Sequence, residues 1–435
     1  MKVISSTEKN RWAENAALKT DKASNLSVTQ DVCQTIDGFG GCFNELGYIA
    51  MDKVTPEKKE EILSRLFSPE ECGFTFCRLP MGASDYAKSW YSYDEVEDDY
   101  ELKHFSIERD RRYLLPYLKD AMKYSGDLTL FASPWSPPTW MKFPQAYNFG
   151  TLRWEDEVLK TYARYFRKYV EAYEKEGIHI DQVHVQNEPI SDQKFPSCVW
   201  TGKELKEFIR DYLGPEMKDM DTEVWLGTLN GPYEDYGMEE WQITHYSDYA
   251  NEVLSDPEAR KYVKGVGCQW GAKHALLQTH IAYPEVKLIQ TENECGEGKN
   301  SWQYAEYVFQ LMWTYFQNGV CAYTYWNMVL EEGGMSTWGW HQNSLVSVKK
   351  DGEVVYNPEY YLIRHFSSHV KKGAVRRGVK GAFAGTALAF ENPDGTMVWE
   401  IHNPFDEART LVLSDGKANY EITLEPHSFN TVIGN

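Results

Sequence analysis

The 435-residue chain has no apolar run of the length, about 18 residues, that a membrane helix needs. No apolar core follows Lys2, so a secretory leader is not expected. No C-x-x-C pair occurs. The eight cysteines (33, 42, 72, 77, 198, 268, 295 and 321) are scattered, as expected of free thiols in a reducing cytoplasm. No Cys/His cluster has ligand spacing, so no metal or other cofactor is expected. Glycines 38, 40 and 41 in DGFGGCF lack the G-x-G-x-x-G spacing of a dinucleotide loop. Positive charge is in deficit: 45 Lys and Arg against 65 Asp and Glu give a formal net charge of −20. That field disfavours nucleic acid and anionic membrane surfaces and suits a neutral substrate.

Aromatic side chains, by contrast, are plentiful at 14%, with 15 Trp and 29 Tyr. They fill cores, and they also stack on sugar rings, so their positions must decide.

Eight short strand-like runs alternate with longer helical patterns. The strands are Thr35–Asn44, Gly73–Pro80, Asp127–Trp135, Asp181–Pro189, Glu223–Asn230, Val263–Trp270, Val286–Asn293 and Gly319–Asn327. Helices are expected over Thr55–Phe67, Glu108–Tyr124, Trp154–Lys175, Gly202–Tyr212, Glu240–Leu254, Lys273–Ile281 and Trp302–Asn318. Eight such units predict an α/β fold, a (β/α)8 TIM barrel over residues 31–366. From about Gly373 the pattern becomes short alternating strands separated by turn signals such as Asn392-Pro393-Asp394-Gly395. Residues 1–30 and 367–435 are expected to form an antiparallel β-sandwich built from both termini and packed on the barrel.

Barrel active sites sit at the C-terminal strand ends. Those ends carry Glu45, Arg78, Trp135, Asn187 with Glu188, Asn230, Trp270, Glu292 and Trp326. Two strands stop on a glutamate: HVQNEP at His184–Pro189 and LIQTEN at Leu288–Asn293. Paired carboxylates in different environments are the requirement of glycosidic bond hydrolysis, one protonated and one ionised. Side-chain alternation places Glu188 and Glu292 inward and gives Asn187 the wrong parity unless the strand end is distorted. Glu294 shares the parity of Glu292 but lies beyond the strand end. Two rival readings are a sugar-binding barrel with a decayed site and a metal-dependent hydrolase, which lacks a His pair.

The stretches IDGFGGCFNE, FCRLPMGASDYA, LTLFASPWSPPTWMK, HVQNEP, LIQTENECG and TYWNMVLEEGG resemble glycoside hydrolase family 30, the glucosylceramidase-like β-glycosidases. The resemblance implies a retaining, metal-free enzyme with Glu188 as acid/base and Glu292 as nucleophile. It also implies Asn187 on the sugar 2-OH, Trp135 and Trp326 lining the sugar pocket, and Arg78 ordering the carboxylates. Glu45 and Trp270 complete the candidate binding set. The family carries His-Trp-Tyr at the end of strand six, where this chain has Gln269-Trp270-Gly271. A β-glucosidase of the glucosylceramidase kind is the expected activity; a β-1,6-glucanase, β-fucosidase or β-xylosidase is the alternative. The oligomeric state stays open.

Overall fold

A computed structural model describes residues 1–231 and 249–434. Eight parallel strands close a barrel in chain order: β1 Gly38–Cys42, β2 Phe76–Met81, β3 Thr129–Pro134, β4 Gln182–His184, β5 Glu223–Leu229, β6 Val263–Gln269, β7 Lys287–Glu292 and β8 Val320–Asn327. Strand β8 returns to β1, pairing Tyr323 with Phe39 and Thr324 with Gly40. A closed barrel has no exposed edge, and its interior is packed rather than open. Phe76, Phe131, Trp225 and Ile289 fill one interior layer. Gly265 makes room there: a Cβ on it would stand 2.2 Å from the Trp225 ring.

Sequence chemistry sets the surrounding helices. Thr55 caps helix Pro56–Phe67 by accepting from Lys58 N, and Pro56 occupies the first turn. Ile62, Leu63, Leu66 and Phe67 of that helix are buried, the spacing of one apolar face. Helix Asp156–Lys175 buries ten side chains in the same way. The expected fourth strand, Asp181–Pro189, is regular only over Gln182–His184. Of the expected helix Glu240–Leu254, Ala250–Leu254 is seen and the first part lies outside the described residues.

Both termini build the second unit. Its ten strands form one continuous ladder that includes Lys2–Ser6, Leu26–Thr35 and five strands after residue 386. The pairings are antiparallel except for a short parallel one between Leu413–Ser414 and Leu26–Ser27. The sandwich has its own core around Trp399, Ile401, Leu411 and Leu424. The expected boundaries at 30/31 and 366/367 each cut an element, the strand Leu26–Thr35 and the helix Pro358–His369.

Polar side chains lock the sandwich to the barrel. His365 of the last barrel helix meets Thr431 Oγ1 at 2.7 Å and Ser6 Oγ at 2.8 Å. Glu306 of helix Trp302–Gln317 meets His402 at 3.0 Å and His427 at 2.9 Å. Among the described residues no helix is long and apolar enough to cross a membrane, and no group of three or more His, Cys, Asp or Glu is placed to hold a metal ion.

Candidate active site

A cavity of about 700 Å³ opens at the C-terminal ends of the barrel strands, within the usual range for ligand sites. Five of the expected residues line it: Trp135, Asn187, Glu188, Trp270 and Glu292.

Arg78 organises the floor. It is fully buried in β2, and its guanidinium spreads over five partners, one of them Thr291 O at 3.4 Å from Nη1. Nη1 donates to Glu292 Oε2 at 2.6 Å. Nη2 donates to Asn187 Oδ1 at 2.6 Å, Ser133 Oγ at 2.8 Å and Thr228 Oγ1 at 3.2 Å. The Trp135 ring lies 4.4 Å from its Cζ, adding a cation–π contact.

Asn187 reaches the cavity because the strand does not stay regular. Its N–H bonds back to Pro134 O of β3, while Glu188 N–H bonds to Thr228 O of β5. Glu188 then takes a positive φ of 48° ahead of Pro189, a conformation uncommon for a residue other than glycine. That break turns both neighbours into the cavity. Asn187 Oδ1 also accepts from Gln269 Nε2 at 2.7 Å, so its oxygen is committed and its amide nitrogen remains to donate. Glu188 Oε2 accepts from Ser191 Oγ at 2.9 Å, and that hydroxyl accepts from Asn230 Nδ2 at 2.8 Å.

Two expectations are corrected. Glu45 does not face the cavity. It begins the helix Glu45–Met51, which Asn44 caps, and this swings its carboxylate outward. There it accepts from Arg109 Nε at 2.7 Å, Arg109 Nη2 at 2.8 Å and Lys88 N at 2.7 Å. Trp326 is fully buried and stacks on Trp135 with centroids 5.4 Å apart, but only Trp135 of the two lines the cavity.

The carboxylate that does enter is Asp85, on the loop after β2, which strand-end reading passes over. Its carbonyl accepts from Thr337 N at 3.2 Å and Thr337 Oγ1 at 2.9 Å. Tyr86 Oη donates to Gly334 O at 2.7 Å, so the loops after β2 and β8 hold each other. Gln342, Trp338 and Trp340 of the second loop also line the cavity. The S-D-Y run directly after a barrel strand was the available signal for Asp85; the W-G-W run was the signal for the tryptophans.

The departure at the end of β6 has a steric reason. A Cβ on Gly271 would stand 1.9 Å from Asn230 O, so no larger side chain fits. Gln269 supplies a contact instead, donating from Nε2 to Glu292 Oε2 at 3.2 Å and to Thr228 Oγ1 at 2.9 Å.

Asp85, Glu188 and Glu292 thus share one cavity with one guanidinium beneath. Burial, then the charge of Glu188, pushes Asp85 up to about 7. Burial also raises Glu292 well above the ordinary carboxylate range, Arg78 pulls it back, and the charges of Glu188 and Asp85 raise it again. His184, in the barrel interior, is kept neutral by burial and by Arg78.

A (β/α)8 barrel with a terminal β-sandwich and two strand-end glutamates in one aromatic cavity defines a glycoside hydrolase. Residues 36–370 match the glycosyl hydrolase family 30 TIM-barrel domain, and residues 373–432 match the family 30 β-sandwich domain. The chain belongs to glycosyl hydrolase family 30. It is 29% identical to putative glucosylceramidase 4 of Caenorhabditis elegans, over 94% of this chain and 82% of that one. It is 28% identical to the lysosomal acid glucosylceramidase of Mus musculus, over 92% of this chain and 81% of that one. Among solved structures, the endo-β1,6-glucanase BT3312 superimposes with a TM-score of 0.87 at 25% identity, over 99% of this chain and 98% of that one.

Proposed function

We propose that the protein hydrolyses neutral β-glucosides with retention of configuration, through a covalent glycosyl-enzyme. The observation that carries this is the unequal setting of the two glutamates. Glu292 is held by Arg78 and Gln269, which favour its anion. Glu188 lines the same cavity from the strand-four end, its Oε2 accepting from the Ser191 hydroxyl, and is the second carboxyl that the reaction needs.

In the first step Glu188 protonates the glycosidic oxygen while a Glu292 oxygen bonds to the anomeric carbon and the aglycone leaves. Esterification removes the negative charge of Glu292. With that neighbour neutral, the ionised form of Glu188 costs less, so Glu188 is set to take a proton from water. The resulting hydroxide displaces Glu292 and restores the starting state. Asn187, its oxygen fixed by Arg78 and Gln269, offers its amide nitrogen to the 2-hydroxyl. Asp85 accepts from hydroxyls further round the ring, and Trp135 covers one face.

The names of the relatives support two substrates, a glucosylceramide and a β-1,6-glucan. The test is a panel of aryl β-glycosides and β-linked disaccharides, with the first-formed anomer followed by NMR. A β-product from a β-substrate is expected; an α-product would refute retention. Glu292→Ala is expected to be inactive on every substrate and rescued by azide. Glu188→Gln is expected to keep the first step on activated aryl glycosides and lose poor leaving groups.

A further inference from the structure

We infer that Asn44 and Asn327 are positioning residues that turn the amide of Gln342 so that its nitrogen donates to a ring hydroxyl of the bound sugar. The inference rests on the glycosidase reading above.

The relay starts on the main chain, and this settles its direction. Asn44 caps the helix Glu45–Met51, and its side chain accepts from Gly47 N at 2.7 Å. Only an oxygen can accept that bond, so the other end of the Asn44 amide is Nδ2, a donor. Nδ2 donates to Asn327 Oδ1 at 3.0 Å. Asn327 therefore turns its own Nδ2 onward, and it donates to Gln342 Oε1 at 2.8 Å. Each amide spends its oxygen on the donor before it and its nitrogen on the acceptor after it. The last nitrogen of the series is Gln342 Nε2, and Gln342 lines the cavity with Asp85, Glu188 and Glu292. A glutamine held by nothing could present either end. Here, reversing one amide would set oxygen against oxygen or nitrogen against nitrogen. Asn44 and Asn327 are both buried, and an unsatisfied buried polar group costs more than the bond it replaces contributes.

Main-chain bonds fix the same residues. Gln342 N–H donates to Gly334 O at 2.9 Å, the carbonyl that also accepts from Tyr86 beside Asp85. Asn343 N–H donates to Cys295 O at 2.6 Å, on the segment that follows Glu292. Leu345 N–H donates to Asn327 O at 3.0 Å. Gln342 is 7% exposed against 47% for Trp340 on the same loop, which places it deep in the cavity with the reacting sugar. A sugar hydroxyl has one proton to give and two lone pairs to fill. Ionised carboxylates accept the proton and leave the lone pairs unmet. Gln342 Nε2 meets one of them, as the Asn187 amide does at the 2-hydroxyl. A donor locked before the ligand arrives loses little entropy on binding.

The test reads the donor apart from the fold. Wild type, Gln342→Met and Asn44→Asp are compared at pH 7 on the aryl β-glycoside of the preferred sugar and on its monodeoxy analogues. Gln342→Met keeps the length of the side chain and removes the donor. Asn44→Asp still caps the helix, but its second carboxylate oxygen can only accept. Asn327 must then turn Nδ2 back to it, Gln342 must turn in the same sense, and Oε1 faces the sugar. Both variants are expected to lower kcat/KM on the parent glycoside about tenfold. On one and the same monodeoxy analogue, the one lacking the hydroxyl that Gln342 meets, both should stay within about twofold of wild type. Equal losses on the parent and on every analogue would show a structural role only and overturn the inference. Either variant matching wild type on the parent, or losses that vanish on different analogues, would overturn it as well. A wild-type enzyme that cleaves no aryl β-glycoside would instead overturn the glycosidase reading itself.

Discussion

Arg78 Nη1 lies 2.6 Å from Glu292 Oε2, and the guanidinium is fully buried. The contact joins the strand-two end of the barrel to the strand-seven end and, against the effect of burial, favours the charged form of the Glu292 carboxyl. Arg78→Met removes the cation and leaves Glu292 buried beside two other carboxyls. Losing one partner of a buried pair costs roughly 3–5 kcal/mol, so a large drop in urea resistance is expected at pH 7. The drop should shrink at acid pH, where Glu292 protonates. Arg78 holds the Glu292 pKa down, so its loss also moves the acid limb of the kcat/KM profile to higher pH. An acid limb that stays in place would refute this role.

Asp85 pays for its position in stability. Its folded pKa of about 7, raised by burial and then by Glu188, stands above that of an exposed aspartate. Between about pH 4 and 7 the folded state therefore binds more protons than the unfolded state, and stability falls as pH rises. Asp85→Asn removes that dependence. It is expected to raise the melting temperature at pH 8, with little change at pH 4, while lowering kcat/KM by at least tenfold. A variant destabilised at pH 8 would contradict the argument.

The barrel was legible because each strand is short and ends on polar residues or glycine, and the pair Glu188 and Glu292 followed from that alternation. What was hidden depends on contacts between distant segments. Glu45 stands just past a strand end in sequence, yet Asn44 caps a helix there and turns it to Arg109. Asp85 sits four residues past its strand, and only Thr337, 252 residues away, fixes its carbonyl. Trp326 ends a strand as expected, but it is Trp135, stacked on it, that lines the cavity. Strand periodicity reports which face a side chain takes; it carries no information on which of two facing rings reaches the ligand.

Gly271 supplies a steric prediction. Its neighbour Asn230 O would stand 1.9 Å from a Cβ, so even Gly271→Ala must push the ends of β5 and β6 apart. Overpacking of this kind costs about 1–3 kcal/mol. Because Trp270 and Gln269 precede it, the shift should also loosen the Gln269 contact to Glu292 and lower kcat more than it raises KM. Thermal unfolding and steady-state kinetics of the alanine variant check both, and unchanged values for both would refute the packing account.

The junction between sandwich and barrel should respond to pH through His427. Asp406 Oδ1 lies 2.8 Å from its Nε2 and Glu306 Oε1 lies 2.9 Å from its Nδ1, and these two acceptors, in that order, raise its pKa above 6.5. Both ring nitrogens face carboxylates, an arrangement that only the doubly protonated imidazolium satisfies. A histidine whose pKa is higher folded than unfolded contributes its full stabilisation below the unfolded pKa. That contribution is lost as pH rises through the folded pKa. His427→Gln should therefore lower the melting temperature at pH 5.5 and change it little at pH 9. The catalytic cavity lies elsewhere on the barrel, so kcat/KM at 25 °C should stay within about twofold of wild type. An equal loss of melting temperature at both pH values would show that His427 acts through packing and not through its charge.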